Sequence, residues 1–184
     1  MNPQLEDLRQ QFERIANEAK ILTAGLTEAQ FNWRPAPGAW SIEECLAHLT
    51  AVGTAELETI ERAVEQARAK GLTGTGPFDV PAWERFILRE TEPPVRHAMS
   101  SPGRFRPIHG QPITGVLPTF LHLQRQFTIQ IELADGLDLR RVKVPTAITS
   151  LLKLSLGGTL AMAAAHERRH MAQARHVRER LSAA

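Results

Sequence analysis

Apolar positions recur three and four residues apart along four stretches of the chain. In residues 3–24 the stripe is Leu5, Leu8, Phe12, Ile15, Ala19 and Leu22, the period of a helix that turns one face to a core. Pro35, Pro37 and Gly38 interrupt the pattern. Ser41 predicts a second helix start, because Glu44 stands three residues on and completes a capping box. Ile42, Leu46, Leu49, Gly53, Leu57, Ile60, Val64 and Ala67 carry this helix to about Lys70, and Gly71 suits its C-terminal turn. At roughly eight turns it has the length of a bundle helix. A third helix covers about 114–134 through Leu117, Phe120, Leu121, Leu123, Phe127 and Ile131. Pro118 leaves its start open, since proline is best placed in a first turn. A last helix runs from about Gly158 to Leu181.

The connections differ in length. Residues 71–113 hold Gly74, Gly76, Pro77, Pro93, Pro94, Pro102, Pro107 and Pro112 around one short predicted helix at 81–90. So long a connection is either a functional loop or a crossover between helices that run parallel. Residues 135–157 read as loop, with no strand pattern longer than RVKVP at 141–145. The expected fold is all-α, a four-helix bundle formed as a single domain over residues 1–184.

Candidate chemistry gathers on two of these helices. His166 and His170 are four apart, so both imidazoles share one helical face. Ala163, His166, His170, Ala174 and Val177 form the stripe that such a helix turns inward. Imidazoles facing a core must be hydrogen-bonded, metal-bound or set in a wet cavity. His48, on the ridge Cys45–His48–Val52 of the second helix, is placed to join them. Three imidazoles from two helices would bind a metal ion and leave positions open, the pattern of a catalytic rather than a closed structural site.

HERRH at 166–170 also matches the H-E-x-x-H metalloprotease motif, but Gln173 replaces the turning glycine of its extended form, and nothing breaks the helix before His176. Glu167 falls about 100° from the His face, which assigns it to solvent or to a supporting contact rather than to proton transfer. Cys45 reads as a small buried hydrophobe. The phase of His122 is open. His97 and His109 lie in the long loop and read as solvated, and Trp33 and Trp40 read as packing the proline-rich turn over the bundle end.

Composition narrows the class without naming a partner. The chain has 184 residues, 42% hydrophobic, a formal net charge of +2 and a single Cys. A sizeable core can form and no internal disulfide can. The early charges of MNPQLEDLRQ are unlike a signal peptide, and no apolar run approaches the ~20 residues of a membrane span. A cytoplasmic location with no membrane partner is the expectation. Arg168, Arg169, Arg175, Arg178 and Arg180 form the one basic cluster. They read as an outer helical face, so nucleic acid is not the expected partner.

Two blocks together carry a family likeness. FNWRPAPGAWSIEECLAHLTAVG at 31–53 and LGGTLAMAAAHERRHMAQARHVRERL at 156–181 resemble the second-helix entry and the last helix of the DinB-like superfamily of metal-binding four-helix bundles, the DNA-damage-inducible type. FRP at 105–107 and the aliphatic third helix also fit. The resemblance implies up-down-down-up helix order, with 71–113 as the crossover between helices 2 and 3. It implies a metal triad of His48, His166 and His170, typically holding zinc or nickel, and a homodimer. It further implies metal-dependent chemistry of the thiol-transferase kind, using a low-molecular-weight thiol, or related hydrolase chemistry on a small molecule. A non-catalytic metal- or ligand-binding stress-response module is the alternative. Imidazole suits Zn, Ni, Cu and Fe alike, so the residues do not select the metal.

Overall fold

The computed structural model describes residues 1–94 and 101–182. His97 lies outside the described residues. Helix α1 spans Pro3–Thr23, a single turn α2 spans Glu28–Phe31, α3 spans Ile42–Ala69, and α4 spans Ala82–Thr91. A 3-10 turn covers Gly103–Phe105, followed by α5 at Ile113–Leu133, strands β1 at Lys143–Pro145 and β2 at Lys153–Ser155, and α6 at Leu156–Ser182. The protein is all-α apart from the small antiparallel pair β1–β2.

The four long helices match the four apolar stripes. Ser41 caps α3 as expected: its hydroxyl accepts from the Glu44 amide at 3.1 Å, while the Glu44 carboxylate accepts from the Ser41 amide at 3.0 Å. Gly71 follows the helix end at φ +61°, the left-handed conformation that a side chain would strain. Thr27 and Gln30 make a second capping box at α2, a turn that the interrupted 25–40 stretch concealed.

Pro118 does not start α5. The helix begins five residues earlier, at Ile113, and contains the proline. The cost is the missing amide that would otherwise bond the Thr114 carbonyl. This early in the helix that carbonyl lies near the chain surface, with Thr114 itself exposed. The 135–157 loop also departs from expectation, since β1 and β2 pair within it. Val144 and Leu154 are partners and point into the core, while Lys143 and Lys153 stand on the other face.

Helices α1 and α3 each pack against both α5 and α6. One apolar cluster includes Phe12, Ile60, Phe127, Ile131 and Leu160. Phe12 and Phe127 stack there with ring centroids 4.5 Å apart. A second cluster includes Phe31, Leu46, Phe120, Met171 and Val177, with Trp33 and Trp40 at its edge. Gly53 makes the close approach of α3 and α5 possible, because a Cβ there would stand 2.6 Å from Leu123 Cδ2.

The start of α6 is anchored by a buried carboxylate. Glu84 of α4 accepts from the Ser155 amide at 2.9 Å and from its hydroxyl at 2.5 Å. Ser155 Oγ in turn accepts from the Gly158 amide at 3.0 Å. A negative group placed here also faces the positive end of the helix dipole. No helix among the described residues is long and apolar enough to cross a membrane.

Candidate metal centre

The second turn of α3 carries His48, and the middle of α6 carries His166 and His170. The crossing of these helices brings one ligand nitrogen from each of the three residues within 4.8 Å of the others. Among the described residues this is the one group of three or more His, Cys, Asp or Glu so arranged. The inward stripe on α6 is as expected: Ala163, Ala174 and Val177 are buried, with the two His half-buried between them.

Hydrogen bonds orient two of the rings. His48 Nδ1 stands 2.8 Å from the Phe105 carbonyl oxygen. A carbonyl only accepts, so Nδ1 carries the proton and Nε2 keeps its lone pair. His170 Nδ1 donates to Gln173 Oε1 at 3.0 Å, one turn further along α6, with the same consequence. His48 Nε2 lies 3.4 Å from His166 Nε2. Two imidazole nitrogens bound to one tetrahedral ion stand about 3.3 Å apart when each bond is about 2.0–2.1 Å. The His48–His166 pair therefore has the spacing of two ligands on one ion, and three imidazole donors suit a borderline divalent transition metal. Trp40 closes one side, with its ring centroid 4.8 Å from that of His48 and 5.5 Å from that of His170.

Electrostatics keep the three rings neutral. Burial pushes His166 well below the usual imidazole range, and His170 and His48 push in the same direction. Burial, with His48 beside it, brings His170 to about 4. Burial also lowers His48, against the opposing bond to Phe105. Neutral imidazole is the form that ligates metal.

The remaining candidates fall elsewhere. Cys45 is fully buried, burial pushes its thiol up, and it does not join the three His. His122 is exposed and lies 3.5 Å from Gln126. His176 is exposed, away from the inward face. His109 is not simply solvated: its Nδ1 stands 3.5 Å from Glu44 Oε2. Burial would raise Glu44, but Arg34 and the Ser41 amide hold it below the usual carboxylate range.

Of the two roles left open for Glu167, the structure removes the solvent one. The side chain is only 3% exposed and accepts from Gln124 Nε2 at 3.0 Å. Burial, with Glu56 nearby, pushes it up to about 8. The 100° offset was right, but it turns Glu167 toward α5 rather than outward. The arginine cluster is likewise not a bare face. Arg168 pairs with Glu92 and reaches Gln11, and Arg175 bonds Glu18 at 3.0 Å.

Sequence reasoning missed two supports of the centre. The Phe105 carbonyl is a backbone group, so no residue type announces it. The Trp40 contact was hidden because loop packing explained that side chain well enough. Gln173 was visible as the Gln after His-x-x-x-His, but its partner was not.

The chain matches the DinB superfamily over residues 11–174. It belongs to that superfamily. Neither a curated protein nor a solved structure matches it. The DinB assignment and the converging imidazoles rest on different grounds, one on the whole pattern of residues and the other on three ring positions. Both are compatible with a metal-binding protein.

Two expected results arise from this geometry. Gln173→Ala removes the acceptor that orients His170, and metal affinity should fall about 10–100-fold. Competition against a chromophoric chelator measures it; unchanged affinity would show that the bond to Gln173 does not orient the ring. The second concerns Glu167. A carboxyl raised from 4.5 to about 8 on folding binds its proton more tightly in the folded state. Its contribution to stability is complete at acid pH and is lost as pH rises through that window. In chelator-treated protein Glu167→Gln keeps the Gln124 contact and should flatten this alkaline loss, as urea unfolding at acid and alkaline pH would reveal. Parallel wild-type and variant curves would refute it.

Proposed function

We propose that His48, His166 and His170 hold one divalent transition metal, zinc or nickel, and that the protein is a metal-dependent enzyme of the thiol-transferase kind or a related hydrolase acting on a small molecule. The observation that carries this reading is the convergence of three neutral imidazoles, two of them with Nδ1–H committed to outward acceptors. Such a set supplies three ligands and leaves the rest of the coordination sphere to substrate or water. The ion would supply a Lewis acid that lowers the pKa of a low-molecular-weight thiol or of water.

The residues of the chain do the holding and the shaping. The Phe105 carbonyl and Gln173 fix two ring orientations. Trp40 shields the rings on one side. Three neutral ligands leave the full charge of the ion uncompensated, which favours an anionic nucleophile.

The up-down-down-up helix order and a single domain over 1–184 belong to this reading. The contact of Gly53 with Leu123 and the bond from Arg68 Nη1 to the Leu133 carbonyl at 2.7 Å support parallel α3 and α5. A homodimer and a thiol partner are proposed with it.

One observation favours a second reading, a binding module without turnover. Among the described residues no carboxylate joins the three His as a fourth ligand. A screen of bacillithiol, mycothiol and glutathione against electrophiles, beside simple esters and amides, separates the two. Turnover that needs metal and is abolished by His166→Ala supports the enzyme. Stoichiometric metal without turnover on any of these supports the module.

A further inference from the structure

Away from the histidines, a groove of about 340 Å³ lies between α3 and the β1–β2 hairpin. Arg62, Lys143 and Lys153 line it, with Gln66 and Ser150, and no acidic residue does. Lys143 and Lys153 lie diagonally across the strand pair on its outer face, a separation on the order of 7–8 Å. Arg62 meets them from the helix. Among the described residues none of the three cations makes an ion pair. Glu58 and Glu65 flank Arg62 on α3, both exposed and neither hydrogen-bonded to it. Three like charges around one concavity repel one another, and an anion seated between them removes that repulsion.

We propose that this groove is a binding site for a phosphate group. The guanidinium of Arg62 offers a planar fork of donors that matches two oxygens of such a group. The two ammonium groups supply compact charge, while the Gln66 amide and the Ser150 hydroxyl can complete the shell. Thr59 and Thr146 already donate within the chain, to the carbonyls of Glu56 and Thr149, so they contribute shape.

Two sources present this chemistry: a free phosphate or phosphomonoester, and a phospholipid headgroup. The hairpin tip beside the groove is apolar and open, with Leu151 94% and Ile148 67% exposed. It would enter the lipid in the second case. The proposal does not depend on the metal centre.

The test uses full-length protein, wild type and His166→Ala, titrated with inorganic phosphate while backbone amide shifts are followed by NMR. The His166→Ala arm removes phosphate effects that originate at the histidines. Shifts at residues 59–66 and 143–153, saturating at a concentration on the order of millimolar in both proteins, are the expected result. The paired variant Lys143→Gln/Lys153→Gln should weaken binding about tenfold, and added salt should weaken it further. Because both lysines are exposed, thermal unfolding should show that the variant remains folded. In the second arm, phosphatidylcholine vesicles are compared with vesicles containing phosphatidic acid. Sedimentation only with the acidic vesicles, lost in the paired variant and in Leu151→Ser, assigns the site to a headgroup. Phosphate binding that ignores Leu151→Ser assigns it to a free anion. No binding in either arm, or binding unchanged in the lysine variant, would overturn the proposal.

Discussion

His166→Ala, His170→Ala and His48→Ala should each release the metal that wild type retains at about one equivalent. Each substitution removes one of three protein ligands, and two cannot hold the ion in competition with a chelator. The expected loss of affinity is on the order of a hundredfold or more, since structural zinc sites draw about 10–16 kcal/mol from roughly four ligands. Elemental analysis by mass spectrometry after dialysis against a chelator reads it directly. The pattern across the three variants matters more than any one of them. His48 comes from α3 and the other two from α6, so equal losses would establish one site shared between helices. Retention in His48→Ala alone would leave a two-ligand pair on α6 and remove the open three-His centre on which the enzyme reading rests. The His166 and His170 variants should remain folded, because both side chains are only half-buried and the neighbouring core of Leu46, Phe120 and Met171 is untouched; thermal unfolding checks the fold of the His48 variant, whose side chain is buried.

Gly158→Ala should be the most damaging small substitution outside the centre. A Cβ at this position would enter the space of Glu84 Oε2 and stand 2.8 Å from Ser155 Oγ. Both are backed by buried structure, with Glu84 1% exposed and Ser155 equally so, and neither can withdraw without breaking the cap of α6. Overpacking costs about 1–3 kcal/mol, and each lost buried hydrogen bond to a charged group about 1.5–3 kcal/mol. A net loss of about 3 kcal/mol is expected, which lowers Tm by about 6–12 °C in a chain of this size. Alanine is otherwise the better helix former by roughly 1 kcal/mol, so a neutral or stabilising result would mean that Glu84 does not hold the α6 terminus. The prediction bears on the centre as well, because α6 carries two of its three histidines.

The four long helices were legible because burial imposes a 3.6-residue period on side-chain chemistry, and that period survives in the sequence whatever the neighbours are. Ser41–Glu44 and Gly71 were legible for a similar reason: capping is local, and its partners lie within a turn. His166 and His170 could be placed on one inward face by the same arithmetic. Pro118 left the start of α5 open and the β1–β2 pair was missed, because each depends on more than local preference. A proline is tolerated where packing supports the helix around it, and a three-residue strand is stabilised by a partner eight residues away and by the core beneath Val144 and Leu154.

The side chains that could ligate a metal, and the helices that bear them, were thus determined by the sequence alone. Tertiary structure decided that His48 meets the α6 pair, that the Phe105 carbonyl directs its ring, that Glu167 faces Gln124, and that Arg62 shares a groove with two hairpin lysines. Those outcomes depend on how helices far apart in the chain cross. Crossing is set by the fit of whole surfaces, such as the notch that Gly53 opens for Leu123, and no periodicity in one segment records it.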